Sequence, residues 1–230
     1  MATRINKYIS ESGHCSRREA DRLIEQNRVK INGQFAQVGS KVTEEDEVTV
    51  DDKIIAKKND FVYLAFNKPV GITSTTDLKI KDNMIDFINY KERIFHVGRL
   101  DKDSEGLILM TNDGDIVNKI LRAENNHEKE YVVEVDKIIT RDFITKMANG
   151  VPILNTVTKP CNITQTGEKT FKIILTEGLN RQIRRMCKVF DYQVVSLKRV
   201  RIMHIHLDVP VGTYRELSKT ELSTLFKLIR

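Results

Sequence analysis

The chain has 230 residues, with 38 Lys and Arg against 32 Asp and Glu for a net charge of +6, and 40% hydrophobic residues. This is enough apolar material for a real core, and the signs are too balanced for wholesale disorder. No run approaches the ~20 apolar residues that cross a bilayer and Met1–Tyr8 has no apolar signal core, so a cytoplasmic protein is expected.

A first unit is read over 1–58. Ile5, Tyr8 and Ile9 have helical spacing. Ser12-Gly13 is a stop, and Ser16-Arg17-Arg18-Glu19 has the form of a capping box, in which Ser and Glu side chains satisfy two free amides at a helix start. Ala20, Leu23 and Ile24 give that helix its apolar stripe, with Arg18 and Arg22 on the opposite face. Val29-Lys30-Ile31 alternates as a strand into Asn32-Gly33, a hairpin turn signal, and Val48 and Val50 mark a further strand. Met1–Lys30 carries seven basic and four acidic residues and Ile31–Asp60 the reverse, so the helical half suits phosphates. The polar stretch around Lys57–Asp60 is the expected linker.

A second unit is read over 59–230. Val62–Phe66 is expected as a strand and Asn67–Gly71 as a turn. Phe95–Leu100 and Leu107–Met110 bracket a charged loop, and Asn112-Asp113-Gly114 turns the chain into a helical pattern at Ile116, Val117, Ile120 and Leu121. Tyr131–Val135 and Phe171–Leu175 alternate as strands, Gln182–Val189 is helical, Gln193–Leu197 extended and Val200–Val209 a strand carrying His204 and His206. Strands irregularly interleaved with helices make the fold α+β around a mixed, largely antiparallel sheet flanked by helices.

Charge is concentrated in Gly178–Arg201, where seven basic residues face one acid for a net +6, leaving the rest of the chain neutral. A concentrated basic stretch fits a polyanion partner, although a solvated helix face would read the same way. Cys15, Cys161 and Cys187 have neither disulfide nor metal-ligand spacing, and His204 and His206 lack a third ligand nearby. No phosphate loop, dinucleotide fingerprint or nucleophile elbow is present. The loop Asp101-Lys102-Asp103-Ser104-Glu105 starts like a calcium site, but its twelfth position is Asn112 rather than a bidentate Glu. A catalytic carboxylate and an ordinary charged loop both remain open there. The Arg181, Arg184 and Arg185 guanidinium groups can grip phosphates or keep a carboxylate ionised.

Taken together, these segments resemble a known family. Gly98-Arg99-Leu100-Asp101, Ser104-Glu105-Gly106-Leu107 and Thr111-Asn112-Asp113-Gly114 are similar to the catalytic motif of RsuA-type pseudouridine synthases. Lys129-Glu130-Tyr131, Gly178 to Met186 and Asn67-Lys68-Pro69-Val70-Gly71 resemble its other motifs, in order. The first unit, through Cys15–Ala20 and Val29–Gly33, resembles an S4 RNA-binding domain. Gly71–Thr75, Leu179–Cys187 and Arg201-Ile202-Met203 resemble the branch of large-subunit rRNA synthases designated F. Leu179 departs from the Arg common in the family, and no extended basic tail follows the last motif.

The resemblance implies an isomerase that converts a specific rRNA uridine, in 23S rRNA, to its C-glycoside without a cofactor or metal. It implies Asp101 as the catalytic carboxylate, attacking C1′ or assisting at C2′, with Arg184 as the cation opposing its desolvation and Tyr131 against the base or serving as a proton acceptor. Ile183 would pack on the uracil or sugar. Arg99 would fill the gap left by the flipped nucleotide. Arg4, Lys7, Arg17, Arg18 and Arg22, with Arg181, Arg185 and Lys188, would contact RNA. The expected partner is a large-subunit rRNA stem-loop, with a tRNA left open as a second substrate, and the expected state is a monomer. A ribosome-assembly factor that has lost catalysis and an enzyme acting on free nucleosides are the rival readings.

Overall fold

A computed structural model describes residues 2–56 and 60–230. By internal contacts it separates into two compact units: Met1–Val62 with Lys91–Arg93 and Asn112–Gly114, and the remainder from Tyr63 to Arg230. The expected boundary at 58/59 lies outside the described residues, as does most of the expected linker.

In the first unit, α1 (Ile5–Glu11) and α2 (Arg17–Glu25) pack on β1 (Val29–Ile31), β2 (Gln34–Phe35), β3 (Val48–Val50) and β4 (Lys53–Ile55). The four strands form an antiparallel sheet in the order β2-β1-β3-β4. The helical spacings read from the sequence are the buried ones: Ile5, Tyr8, Ile9, Ala20, Leu23 and Ile24 join Val29, Val48 and Val50 in one core. Asn32 and Gly33 take φ of 50° and 80°, as a tight hairpin with two left-handed central residues requires. Ser16 caps α2 by accepting from Glu19 N at 3.2 Å. Among the described residues the reciprocal half of the expected capping box is not formed; the Glu19 carboxylate instead pairs with Arg22 at 3.0 Å, one helical turn on.

The second unit is built on β5 (Tyr63–Lys68), β6 (Phe95–Val97), β7 (Glu105–Thr111), β8 (Lys129–Val135), β9 (Asn162–Gln165), β10 (Thr170–Leu175), β11 (Val194–Ile202), β12 (Ile205–His206) and β13 (Tyr214–Glu216). Among the described residues these nine strands form one sheet, in the order β9-β10-β8-β11-β7-β5-β13, with β6 added to β7 and β12 to β11. Every pairing is antiparallel except β7 with β11. The helices are α3 (Met84–Ile88), α4 (Asp115–Leu121), α5 (Arg141–Ala148), α6 (Gln182–Val189) and α7 (Lys219–Leu228). Ile116 and Ile120 of α4 and Leu225 of α7 share a core with Leu107, Leu109, Val97 and Ile202.

Two sequence expectations are corrected. The first strand runs on through Asn67 and Lys68, both expected in a turn. Their polar groups are satisfied inside: Asn67 Nδ2 donates to Val209 O at 2.8 Å and Lys68 Nζ to Ser104 O and Pro69 O, each at 2.8 Å. The strand expected over Val200–Val209 is interrupted. β11 stops at Ile202, Met203 turns with φ of 54°, and β12 folds back so that Arg201 faces His206. His204 therefore sits in the turn, its Nε2 bonded to Glu221 O at 2.8 Å.

Candidate active site

The charged loop of the motif leads directly into β7, in the middle of the sheet. Asp101 to Ser104 forms a turn closed by Ser104 N donating to Asp101 O at 3.1 Å. Gly98, before it, has φ of 76°, and a Cβ there would come within 2.9 Å of the Leu121 side chain. His96 Nδ1 donates to Gly98 O at 2.8 Å. Asp101 is part-exposed, its side chain 33% accessible.

The partners of this loop come from the start of α6, 78 or more positions on. Arg181, with φ of 50° at the N-cap, grips the Asp103 carboxylate through two nitrogens, at 2.9 and 3.1 Å. The same guanidinium lies 3.5 Å from the Asp101 carboxylate. One turn of helix further, Arg184 donates to Asp103 O at 2.9 Å, to Ser104 Oγ at 3.2 Å and to Val194 O at 3.3 Å. Its Nε stands 3.5 Å from the Asp103 carboxylate. The recorded ion pair to Asp101 is therefore made by Arg181, where the sequence reading expected Arg184; Arg184 secures the main chain two and three residues later. Bidentate arginine contact, with Arg184 also near, holds the Asp103 carboxyl below its usual range against the opposing effect of burial.

Tyr131 lies on β8, almost buried, facing Arg199 of β11 and Ile173 of β10 in register. Arg199 in turn faces Gly106 of β7, two residues beyond Ser104. Strand order thus places Tyr131 level with the root of the Asp101 loop. Ile183 is buried on α6 and Arg99 exposed before Asp101. Arg185 is exposed and bonded to Asn180, and Lys188 is exposed in the last turn of α6. In the first unit Arg4, Arg17, Arg18 and Arg22 are exposed on or beside α1 and α2, and Lys7 pairs with Glu11 at 3.3 Å.

Three residues with no assigned role in the sequence reading belong to this region. Lys68 is fully buried; burial pulls its ammonium group down to about 8, opposed by Asp103, Asp101 and Glu105. Ser74 bonds the main chain of Leu100. Asp103 takes the bidentate grip of Arg181. All three lie in segments the sequence reading quoted as motifs, Asn67–Gly71, Gly71–Thr75 and the Asp101–Glu105 loop; membership of those segments was the available signal.

A family model described as RNA pseudouridylate synthase matches residues 62–188. The chain belongs to that family. An S4 domain model matches residues 3–48 of the first unit. The synthase is 57% identical to the dual-specificity RNA pseudouridine synthase RluF of Salmonella typhi, over 99% of this chain and 80% of that protein. It is 34% identical to ribosomal large subunit pseudouridine synthase B of Bacillus subtilis (strain 168), over 96% of this chain and 95% of that protein. Among solved structures, a pseudouridylate synthase crystal structure superposes with a TM-score of 0.71 at 28% identity, covering 96% of this chain and 99% of that one. The S4 domain followed by a mixed, largely antiparallel synthase sheet is therefore the fold of this isomerase.

Proposed function

We propose that the synthase isomerises a uridine of ribosomal RNA, in the 23S molecule, using Asp101 as its reacting carboxylate. The observation that carries the assignment is the geometry of the loop: Asp101 is part-exposed on a turn held at both ends, with the Arg181 guanidinium 3.5 Å away. The similarity to a ribosomal large subunit pseudouridine synthase supports the rRNA target. The dual-specificity relatives support a second RNA substrate, and rRNA as substrate supports work in the cytoplasm.

In the reaction the N1–C1′ bond of uridine breaks, the base turns, and C5 bonds to C1′; C5 then loses its proton and N1 gains one. An ionised Asp101 either attacks C1′ or removes a proton at C2′. Arg181 sets a positive charge 3.5 Å from that carboxylate, and Arg184 fixes the turn that presents it. Tyr131 lies against the base or accepts a proton, and Ile183 packs on the uracil or sugar. A paired uridine must leave the helix, at a cost of a few kcal/mol; exposed Arg99 enters the space it vacates. Phosphate contacts from Arg4, Lys7, Arg17, Arg18 and Arg22, and from Arg185 and Lys188, offset that cost without reading bases. Arg181 serves the carboxylates first and RNA second.

The test is Asp101→Asn with tritium release from 5-labelled uridine in rRNA. Turnover is expected to vanish while RNA affinity stays within about threefold, because phosphate contacts dominate affinity. A variant that turns over at the unmodified rate removes Asp101 from the mechanism.

A further inference from the structure

The Asp101 turn is held from behind by the last residue of β5 and the short segment that follows it. Ser74 Oγ donates to Leu100 O at 2.7 Å and accepts from Leu100 N at 3.1 Å. Gly71 N donates to Lys102 O at 2.8 Å. Lys68 Nζ donates to Ser104 O at 2.8 Å. Contacts from 68, 71 and 74 thus reach the main chain of 100, 102 and 104, on both sides of Asp101. Among the described residues the Asp101 carboxylate is met by Arg181 on the α6 side and not by this segment.

Ser74 is the member whose chemistry is most specific. It is buried, and so is Leu100. Its one hydroxyl serves both peptide groups of a single residue, 26 positions away and immediately before Asp101. With its carbonyl and its amide both bonded to one buried hydroxyl, Leu100 has both peptide planes held, and the direction of the next residue is held with them. Without the hydroxyl, both groups stay buried and unpaired, and the cheapest relief is rotation of the Leu100–Asp101 peptide toward water.

We infer that Ser74 is a positioning residue for the pseudouridine reaction, setting where the Asp101 carboxylate stands through its two bonds to Leu100. The inference rests on the reading of Asp101 as the reacting group. Displacing a reacting atom by about 1 Å can lower a rate by ~100-fold, whereas RNA binding is made elsewhere. Ser74 therefore acts on kcat and not on KM.

Ser74→Ala, Ser74→Thr and Ser74→Val are assayed on rRNA beside Asp101→Asn, with thermal unfolding of each. Ser74→Ala is expected to lower kcat by about 10- to 100-fold with KM within about threefold. Thr and Val have the same shape and differ in the hydroxyl, so Ser74→Thr should turn over at least about tenfold faster than Ser74→Val. The role of Ser74 is overturned by Ser74→Ala with kcat within about threefold of the unmodified enzyme, by a loss confined to KM, or by equal rates for Thr and Val. An active Asp101→Asn overturns the underlying reading instead, while an inactive Asp101→Asn beside a fully active Ser74→Ala overturns only the positioning role.

Discussion

Replacing Gly106 by Ala probes the junction on which the site stands. Gly106 has φ of +116°, and a Cβ there would meet Arg199 O, with Arg199 N at 2.6 Å and Arg199 C at 3.0 Å. These are backbone atoms of the neighbouring strand and cannot swing aside. Ordinary contact begins at 3.4 Å, so β7 and β11 must part by about 1 Å, which breaks ladder hydrogen bonds worth ~1 kcal/mol each. An L residue at such a φ adds strain of about 1–3 kcal/mol. Together the destabilisation is about 3–5 kcal/mol, a large part of the ~5–15 kcal/mol typical of a domain. For a chain of this size that lowers the thermal midpoint by at least about 6 °C. Because Arg199 faces Tyr131 on its other side, the same wedge moves Tyr131 away from the Asp101 loop, so turnover falls even well below the midpoint. Urea and thermal unfolding measure the first effect and tritium release the second. A Gly106→Ala enzyme within ~1 kcal/mol of the parent and fully active would refute the steric reasoning.

Arg181→Ala and Arg184→Ala separate the two cations. The first removes the part-exposed pair beside Asp101 and should cut turnover by about tenfold at nearly unchanged stability, whereas the second, losing bonds to Asp103 O, Ser104 Oγ and Val194 O, should lower both; a fully active Arg181→Ala would return the role to Arg184. At the far end of the sheet, two bonds from Arg215 hold the Glu221 carboxyl at about 2, down from 4.5. Its contribution to stability is present above about pH 4.5 and is lost as the pH falls toward 2. The full shift corresponds to about 3 kcal/mol, reduced by solvent screening to roughly 1–2 kcal/mol. Glu221→Gln should therefore be less stable than the parent by that amount at pH 6 in urea unfolding and converge with it near pH 2; a gap independent of pH would contradict the assignment.

Much of the fold was legible because periodicity reports burial. Ile5, Tyr8 and Ile9, the Ala20, Leu23 and Ile24 stripe, and the alternation in β8 and β10 all face cores. The limits of α6 were read without error, and Asn32-Gly33 turned as its dihedral freedom demands. Short elements without such patterns went unread, among them α3, β9 and β13. So did α7, although Ser218 and Glu221 form a complete capping box at its start.

The sequence by itself determined that Asp101 sits in a charged loop between two apolar segments, that arginines cluster around residues 181–185, and that a small helical unit precedes a larger sheet. These are properties of composition and spacing, which act over a few residues. Only the tertiary structure decided that Arg181 rather than Arg184 pairs with Asp101, that Lys68 and Ser74 hold the loop from behind, and that the strand after Val200 turns back at Met203. The first two outcomes depend on which polar groups find partners between segments some 26 to 80 positions apart and the third on the pairing of β11 with β12, and local pattern carries no record of that geometry.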